Sequence, residues 1–262
     1  MLKKVLIFIS IFLVSLSLNA KEISKSDCDS LGEDFVFAGG ECIETRTFEG
    51  DSNNHIMIIV HGTWDEGTNT LGRYAPFAET MNLNTDLTTI AVALPGYSNS
   101  STNKFKALAH EGVKNLSSNK EYILFLGELV NALKDKYEAT TVTYIGHSAG
   151  ARMGATLTGL KPGLIQNIAL AGGSYFTKDD EKGKNSVSFN DVIKNANKDT
   201  KYLFIYGTAD KISKPEATTK FFDVAKENGL NAKLVKVEGA EHIDLDMTNT
   251  SVEAIINMIE EE

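Results

Sequence analysis

The sequence predicts an α/β fold: a mainly parallel central sheet with helices on both faces and little or no cap domain. Two observations predict it. Short runs rich in Val, Ile and aromatic residues, mostly without polar alternation, recur along the chain and are separated by segments of helical periodicity. Strands of that composition are buried on both faces, as in a parallel sheet, and parallel neighbours need helical crossovers. The second observation is the stretch 142–154, Val-Thr-Tyr-Ile-Gly-His-Ser-Ala-Gly-Ala-Arg-Met-Gly. Here a serine sits between a strand-like run and a helix-like run, with glycine two residues before and two after it. The spacing is steric: a serine on a sharp strand-to-helix turn occupies strained backbone, and only small residues at those positions let strand and helix approach.

Taken in order, the chain opens with Lys3 and Lys4, an apolar run from Val5 to Leu18, and Asn19-Ala20. Residues 1–20 therefore read as a secretory signal peptide, since the run is short for a membrane span. Leu18 departs from the small residue expected three positions before the cut, and an uncleaved anchor is the alternative. After cleavage no stable membrane span is expected, and the mature chain is secreted or periplasmic.

Residues 21–50 form an N-terminal extension with Cys28, Cys42, a turn at Gly39-Gly40 and a first strand at Ile43–Phe48. An even cysteine count in an exported chain points to a disulfide. It closes a loop of about 15 residues, worth roughly 3 kcal/mol in the chain-entropy model. Without further ligands at metal spacing, these cysteines do not form a zinc site, and no metal or cofactor is expected.

Residues 51–262 are expected to form the main domain. Strands are expected at Ile56–Val60, Thr89–Leu94, Val142–Ile145, Ile168–Ala171, Tyr202–Tyr206 and Lys233–Val237. Ile123, Leu126, Leu129, Val130, Leu133 and Tyr137 share a helical face, and Tyr74–Met81 is a shorter helix. Ser213-Lys214-Pro215-Glu216 reads as a capping box opening a helix that Gly229 ends, and Val252, Ile255, Ile256 and Ile259 form a C-terminal apolar stripe. The stretches 98–120 and 174–200 are polar connections, the second too poor in apolar residues for a large cap.

At 262 residues, 42% hydrophobic and 23% charged, the composition is that of an ordinary globular protein. Removing residues 1–20 takes away two lysines and no acids, so the formal charge goes from −9 to −11. With its lysines scattered among acids, a chain of this sign lacks the electrostatic footprint of a nucleic-acid binder.

A serine alone is a poor nucleophile and needs a base within hydrogen-bond reach and a carboxylate to orient that base. Asp210 closes the run Tyr202 to Asp210 just past a strand, and His242 follows the last strand in Glu238-Gly239-Ala240-Glu241-His242. Both positions lie where open α/β sheets hold their ligands, at the C-terminal strand ends. Ser148, at a helix N-terminus, has backbone N–H groups nearby for an oxyanion. Ala149 is one candidate donor, and Thr63, after Val60-His61-Gly62, is the other. His61 reads as a structural loop histidine. Trp64 and Tyr97 are candidate substrate contacts, and Trp64 reads equally well as a packed loop anchor.

Rival sites are weaker. Ser174 lacks a glycine two positions after it, and Asp244 and Asp246 are so near His242 in sequence that they read as loop or capping acids. Asp179 or Asp180 replaces Asp210 only if the strand count is wrong. His110-Glu111 lacks the second histidine of a metalloprotease helix, and Gly183-Lys184-Asn185 does not complete a phosphate loop. Gly146, Gly150 and Gly154 fit close helix packing better than a membrane dimer.

With Gly146 to Gly150, Val60-His61-Gly62, Leu94-Pro95-Gly96-Tyr97, Tyr206-Gly207-Thr208-Ala209-Asp210 and Gly239-Ala240-Glu241-His242 in this order, the chain resembles an α/β-hydrolase from about residue 43 to its C-terminus. Its size is similar to that of small serine esterases of the dienelactone-hydrolase and carboxylesterase type, and to catalytic domains of prolyl-oligopeptidase-like enzymes. The resemblance implies Ser148 as nucleophile, His242 as base and Asp210 as its orienting acid, acting on a small-molecule ester or acyl substrate. A peptidase or amidase is the nearest alternative, and a non-catalytic binding protein is the alternative of another class. Ser148 in place of an aspartate speaks against dehalogenase and epoxide hydrolase chemistry. The cysteine-bearing extension is a departure from the general family pattern.

Overall fold

The strand order of the central sheet reverses once within its parallel part. The computed structural model describes residues 22–64, 68–97, 103–105, 116–177 and 185–261. The segment 1–20, expected to be a signal peptide, lies outside the described residues, as do His110, Glu111, Asp179, Asp180, Gly183 and Lys184. Eight strands are described: β1 (Phe35–Ala38), β2 (Glu41–Phe48), β3 (Ser52–Val60), β4 (Leu87–Val92), β5 (Thr141–His147), β6 (Asn167–Ala171), β7 (Lys201–Gly207) and β8 (Asn231–Val237). Their order across the sheet is β1-β2-β4-β3-β5-β6-β7-β8. β1 and β2 pair antiparallel, β2 runs antiparallel to β4, and β4 to β8 with β3 form a parallel block. Chain progression goes one way from β3 to β4 and the other way from β3 to β5. That reversal is a topological switch point, where loops leave in opposite directions and open a crevice.

Among the described residues seven α-helices accompany the strands: α1 (Lys25–Asp29), α2 (Thr70–Thr85), α3 (Lys120–Lys136), α4 (Ala149–Leu160), α5 (Phe189–Val192), α6 (Pro215–Glu227) and α7 (Asn249–Glu260). Because side chains alternate along a strand, each central strand feeds two cores. Ile56, Ile58 and Val60 of β3 join one core with Leu126 and Leu129 of α3, Met153 and Leu157 of α4 and Phe221 of α6. Met57 and Ile59 join the other with Tyr74, Phe77 and Met81 of α2 and Ile255 and Met258 of α7. The uniform apolarity of the strands is thus spent on two helical layers. α3 shows how one crossover is held: the Asn119 side chain accepts from the N–H groups of Glu121 and Tyr122, and Lys134 and Lys136 sit in the last turn. Ile123, Leu126, Leu129, Val130 and Leu133 are fully buried, each contributing roughly 1.5–3 kcal/mol relative to exposure.

Several elements differ from the sequence expectations. The first strand in the chain is β1, which a four-residue length kept below the periodicity signal. It folds back on β2 through Gly39 and Gly40, both at positive φ, 57° and 89°, in the left-handed geometry that two-residue hairpins need. Tyr74–Met81 is the middle of the longer α2, whose N-cap Asn69 accepts from Gly72 N–H. β4 ends at Val92 rather than Leu94. The expected capping box at Ser213 is corrected: Lys214 is the N-cap of α6, with no side-chain cap bond and Pro215 in the first turn. Ser213 instead gives its N–H to Asp210 Oδ1 at 2.8 Å, so Asp210 takes the bond that fixes this turn.

Cys28 and Cys42 are joined in a disulfide, Cα to Cα 5.6 Å, tying α1 to β2. The N-terminal segment is further latched by Glu41, fully buried, whose carboxylate accepts from the N–H groups of Asn103 (2.8 Å) and Lys104 (2.7 Å). Burial raises its pKa above the usual carboxylate value despite those bonds. Among the described residues no helix is long and apolar enough to cross a membrane.

Candidate active site

Ser148 sits between β5 and α4 with φ 52° and ψ −111°, a conformation that L-residues adopt only under constraint. The constraint is packing. A Cβ at Gly146 would lie 2.7 Å from the backbone of Gly150 and Ala151, and one at Gly150 would lie 2.7 Å from the His61 carbonyl oxygen. Ser148 N–H donates to Ala171 O at 2.8 Å, pinning the turn to β6. Beneath it, Tyr144 donates its hydroxyl to Gly150 O at 2.7 Å, and its ring fills the space that a side chain at Gly154 would take. The glycine spacing through residue 154 therefore serves the packing of α4 on β5.

A serine at the start of a helix ordinarily turns its oxygen back onto the N–H of the first turn. Ser148 makes no such cap bond. Its Oγ lies 2.9 Å from His242 Nε2, which places the hydroxyl at the mouth of the β3–β5 crevice.

His242 follows β8 and is 8% exposed. Its Nδ1 lies 2.8 Å from Asp210 Oδ2. Asp210, 3% exposed, also accepts from the N–H groups of Ile212 and Ser213, both at 2.8 Å, on Oδ1. With Asp210 accepting there, Nδ1 carries the proton and Nε2 is left to accept from Ser148. The three sequence-predicted residues are thus one hydrogen-bonded chain drawn from the ends of β5, β7 and β8.

Several groups that hold this chain carry no motif in the sequence. Gly172, at φ 61°, follows β6, and a Cβ there would lie 3.2 Å from the His242 ring. His147, 6% exposed, stands 2.8 Å by its Nε2 from the backbone oxygen of His242 and 3.3 Å by its Nδ1 from the Tyr74 hydroxyl. Its ring centroid is 4.9 Å from that of His242. The only arrangement that serves both bonds has Nε2–H donating to the His242 carbonyl and Tyr74 donating to Nδ1. The contact of His147 with His242, 95 residues on, needs the tertiary structure.

The loop after β3 comes to the same place. A Cβ at Gly62 would meet Ser148 Cβ at 3.0 Å, so the absence of a side chain lets this loop lie against the serine. Thr63 and Ala149 both border the cleft, and the N–H groups of the first turn of α4 have no partner within the helix. His61 anchors the loop: it is fully buried, Nδ1–H donates to Gly62 O at 2.7 Å, and Nε2 accepts from Leu94 N–H at 3.0 Å. Burial, and secondarily the neighbouring His147, lowers its pKa from 6.5 to about 4.

Two expected substrate contacts lie elsewhere. Tyr97 is corrected: it is 1% exposed, edge-on to His61 and to Tyr122, and offers no surface to a ligand. Trp64 packs against the α2 and α7 core under the Arg73 guanidinium, 5.2 Å from its ring centroid, which is the loop-anchor alternative. Arg73 also pairs with Asp244. The cleft itself, about 590 Å³, is bordered by Thr63, Ser148, Ala149 and His242 together with Ser117, Arg152, Gly172, Ser174, Ile212, Ser213, Lys214 and Ala217. Ser174 thus borders the cleft without holding its centre. Among the described residues no cluster of three or more His, Cys, Asp or Glu is placed to hold a metal.

Residues 56–197 match a family model described as alpha/beta hydrolase fold. No curated protein matches the sequence. Similar solved structures include an esterase of Pyrococcus furiosus, 16% identical, TM-score 0.63, covering 86% of this chain and 90% of that one. The enol-lactonase of Burkholderia xenovorans is 14% identical, with TM-score 0.63 and coverage of 87% and 100%. The ferulic acid-bound Est1E of Butyrivibrio proteoclasticus is also 14% identical, with TM-score 0.59 and coverage of 87% and 99%. At these identities the likeness is one of fold.

Proposed function

Because the chain belongs to the alpha/beta-hydrolase fold family, we propose that it is an exported serine hydrolase that cleaves carboxylic esters of small molecules. The observation that carries the proposal is the continuous chain Ser148 Oγ, His242 Nε2, His242 Nδ1, Asp210 Oδ2, with contacts of 2.9 and 2.8 Å. A fold alone does not imply activity. A nucleophile held to a base, and the base held to a buried acid, has a specific chemical use.

In this reading Ser148 Oγ attacks the ester carbonyl while His242 Nε2 takes its proton. The tetrahedral intermediate turns its oxyanion toward the N–H groups of Ala149 and Thr63. Asp210 keeps the proton on Nδ1 and stabilises the imidazolium that forms. Collapse breaks the bond to the alkoxy group, which leaves as alcohol with the proton from Nε2. Water then enters, gives its proton to Nε2 and attacks the acyl-serine; Ser148 departs reprotonated and the acid is released. The strained elbow at Ser148 supports this reading because it keeps the oxygen off the helix N-terminus and on His242. Export is supported by the pattern of residues 1–20 and by the Cys28 to Cys42 disulfide, a bond that persists in oxidising compartments.

The test is covalent labelling of the native protein with a fluorophosphonate probe, with the adduct located by peptide mass spectrometry. Labelling on Ser148, and turnover of short-chain esters falling on the order of 10⁶-fold in Ser148→Ala, are the expected results. A folded sample that neither labels nor turns over esters points to a binding protein, and faster cleavage of peptides than of esters points to a peptidase.

A further inference from the structure

On the assignment of Ser148, His242 and Asp210 as the reacting groups, we infer that Asp246 is a positioning residue of the same reaction: a second buried carboxylate whose charge acts across Tyr74 and His147 to steady the imidazolium that forms on His242. The starting point is the pair of acids that the sequence leaves as loop or capping residues. Neither caps α7, whose N-cap is Thr248. Asp244 is half exposed and pairs with Arg73. Asp246, two residues on, is 1% exposed, and among the described residues neither of its carboxylate oxygens has a hydrogen-bond partner. Aspartate is almost never fully buried unless paired, and burying its charge without a partner costs stability. Groups kept at such a cost belong to functional sites more often than to plain scaffolding.

Its placement ties the carboxylate to the reacting histidine. The 3₁₀ turn Leu245–Met247 packs on β5, β6 and β7, the strands that lead into Ser148, Gly172 and Asp210. A Cβ at Gly172 would meet the His242 ring at 3.2 Å and Leu245 Cδ2 at 3.3 Å, so this turn and the ring border one small space. The Asp246 charge acts on the Tyr74 hydroxyl: burial first, and then this carboxylate, raise the pKa of Tyr74 above its ordinary value against the opposing pull of Arg73, Gly62 and Trp64. That hydroxyl lies 3.3 Å from His147 Nδ1, and the His147 ring centroid is 4.9 Å from that of His242. Asp246, Tyr74, His147 and His242 thus form one packed run.

The titratable and charged groups that face this run are Tyr74 and Arg73 of α2, His61 after β3, His147 at the end of β5, Asp210 after β7, and Asp244 beside Asp246. Arg73 is the permanent cation of the set, and its guanidinium is engaged by Asp244. When His242 takes the Ser148 proton, a positive charge appears on a ring that is 8% exposed. Asp210 meets that charge at Nδ1, 2.8 Å away. A second negative charge in the same dry interior, where screening is weaker than in water, favours the charged ring over the neutral one. Asp246 exchanges no proton and no bond. It makes His242 a stronger base and lowers the energy of the state in which the proton has moved, an effect of about one pH unit, or roughly tenfold, for a charge one or two side chains away.

Asp246→Asn keeps the shape and removes the charge. The experiment follows phenyl acetate hydrolysis from about pH 5 to pH 9. In the variant the plateau kcat is expected to fall roughly tenfold and the acid limb of the kcat profile to move about one unit toward lower pH, so that the two proteins differ least in acid. The urea midpoint at pH 7 holds or rises, because a neutral amide is cheaper to bury than a charge. An unchanged kcat, or a loss that is the same at every pH, overturns the inference. A lower urea midpoint, or a variant that does not fold, also overturns it, since the carboxylate then has a structural use. NMR titration of the His242 ring in Ser148→Ala, with and without Asp246→Asn, needs no turnover. A midpoint that Asp246→Asn moves to lower pH, in a native protein that cleaves no ester, retains the charge effect and removes the hydrolase; an unmoved midpoint overturns the inference and leaves the hydrolase reading in place.

Discussion

Acid should unlatch the loop that carries Thr63, and His61 is the reason. Its Nε2 must be unprotonated to accept the Leu94 N–H at 3.0 Å, because its Nδ1–H is already committed to Gly62 O at 2.7 Å. A proton on Nε2 would set one N–H against another inside a fully buried site. Burial, with a smaller contribution from the neighbouring His147, outweighs the opposing effect of the Gly62 bond, and the pKa falls from 6.5 to about 4. The folded-state pKa is depressed, so the unfolded chain binds the extra proton first. His61 therefore costs no stability above about pH 6.5, and the loss grows as pH falls through the window from 6.5 toward 4. At about 1.36 kcal/mol per pH unit, the loss by pH 4 is roughly 3 kcal/mol. His55, whose pKa burial also lowers, adds to the same trend, so the measurement must be differential. Urea unfolding of the native protein and of His61→Gln at pH 7, 6, 5 and 4.5 isolates the contribution. The variant begins less stable at pH 7, and the gap narrows by roughly 2 kcal/mol by pH 4.5. A gap that stays constant or widens on acidification would refute the account of His61.

Three further outcomes are expected. Gly150→Ala puts a methyl group against the Val60 and His61 carbonyls, and should cost about 3 kcal/mol or more by urea unfolding, where an ordinary helical Gly→Ala stabilises; a neutral result contradicts the close approach of α4 to β3. His147→Phe keeps the ring but leaves the buried His242 carbonyl without its donor, a penalty of roughly 1–3 kcal/mol, and kcat for esters should fall while KM holds; an unchanged kcat denies His147 a positioning role. Reduction of the Cys28 to Cys42 bond should lower the unfolding free energy by roughly 3 kcal/mol, read from urea curves with and without reductant, and coincident curves would show that the N-terminal latch at Glu41 suffices alone.

The sequence by itself determined the layered sheet and singled out Ser148, Asp210 and His242, which the fold brings into one hydrogen-bonded chain. Uniformly apolar runs such as Ile56–Val60 have only one stable use, burial on both faces, and glycines 146 and 150 have one steric reason for flanking a serine. Those signals are local, since periodicity and steric spacing are written within a dozen residues. What only the tertiary structure decided are the things made by strand order: that β3 and β5 lie side by side, that His147 reaches the His242 backbone, that Gly172 makes room for its ring, and that Tyr97, adjacent in sequence to a plausible substrate loop, is buried against His61 and Tyr122. Ser213 shows the same limit at short range, its cap signal overridden once Asp210 claims its N–H. Contacts between residues distant in the chain depend on which elements pack together, and that choice is a property of the whole sheet.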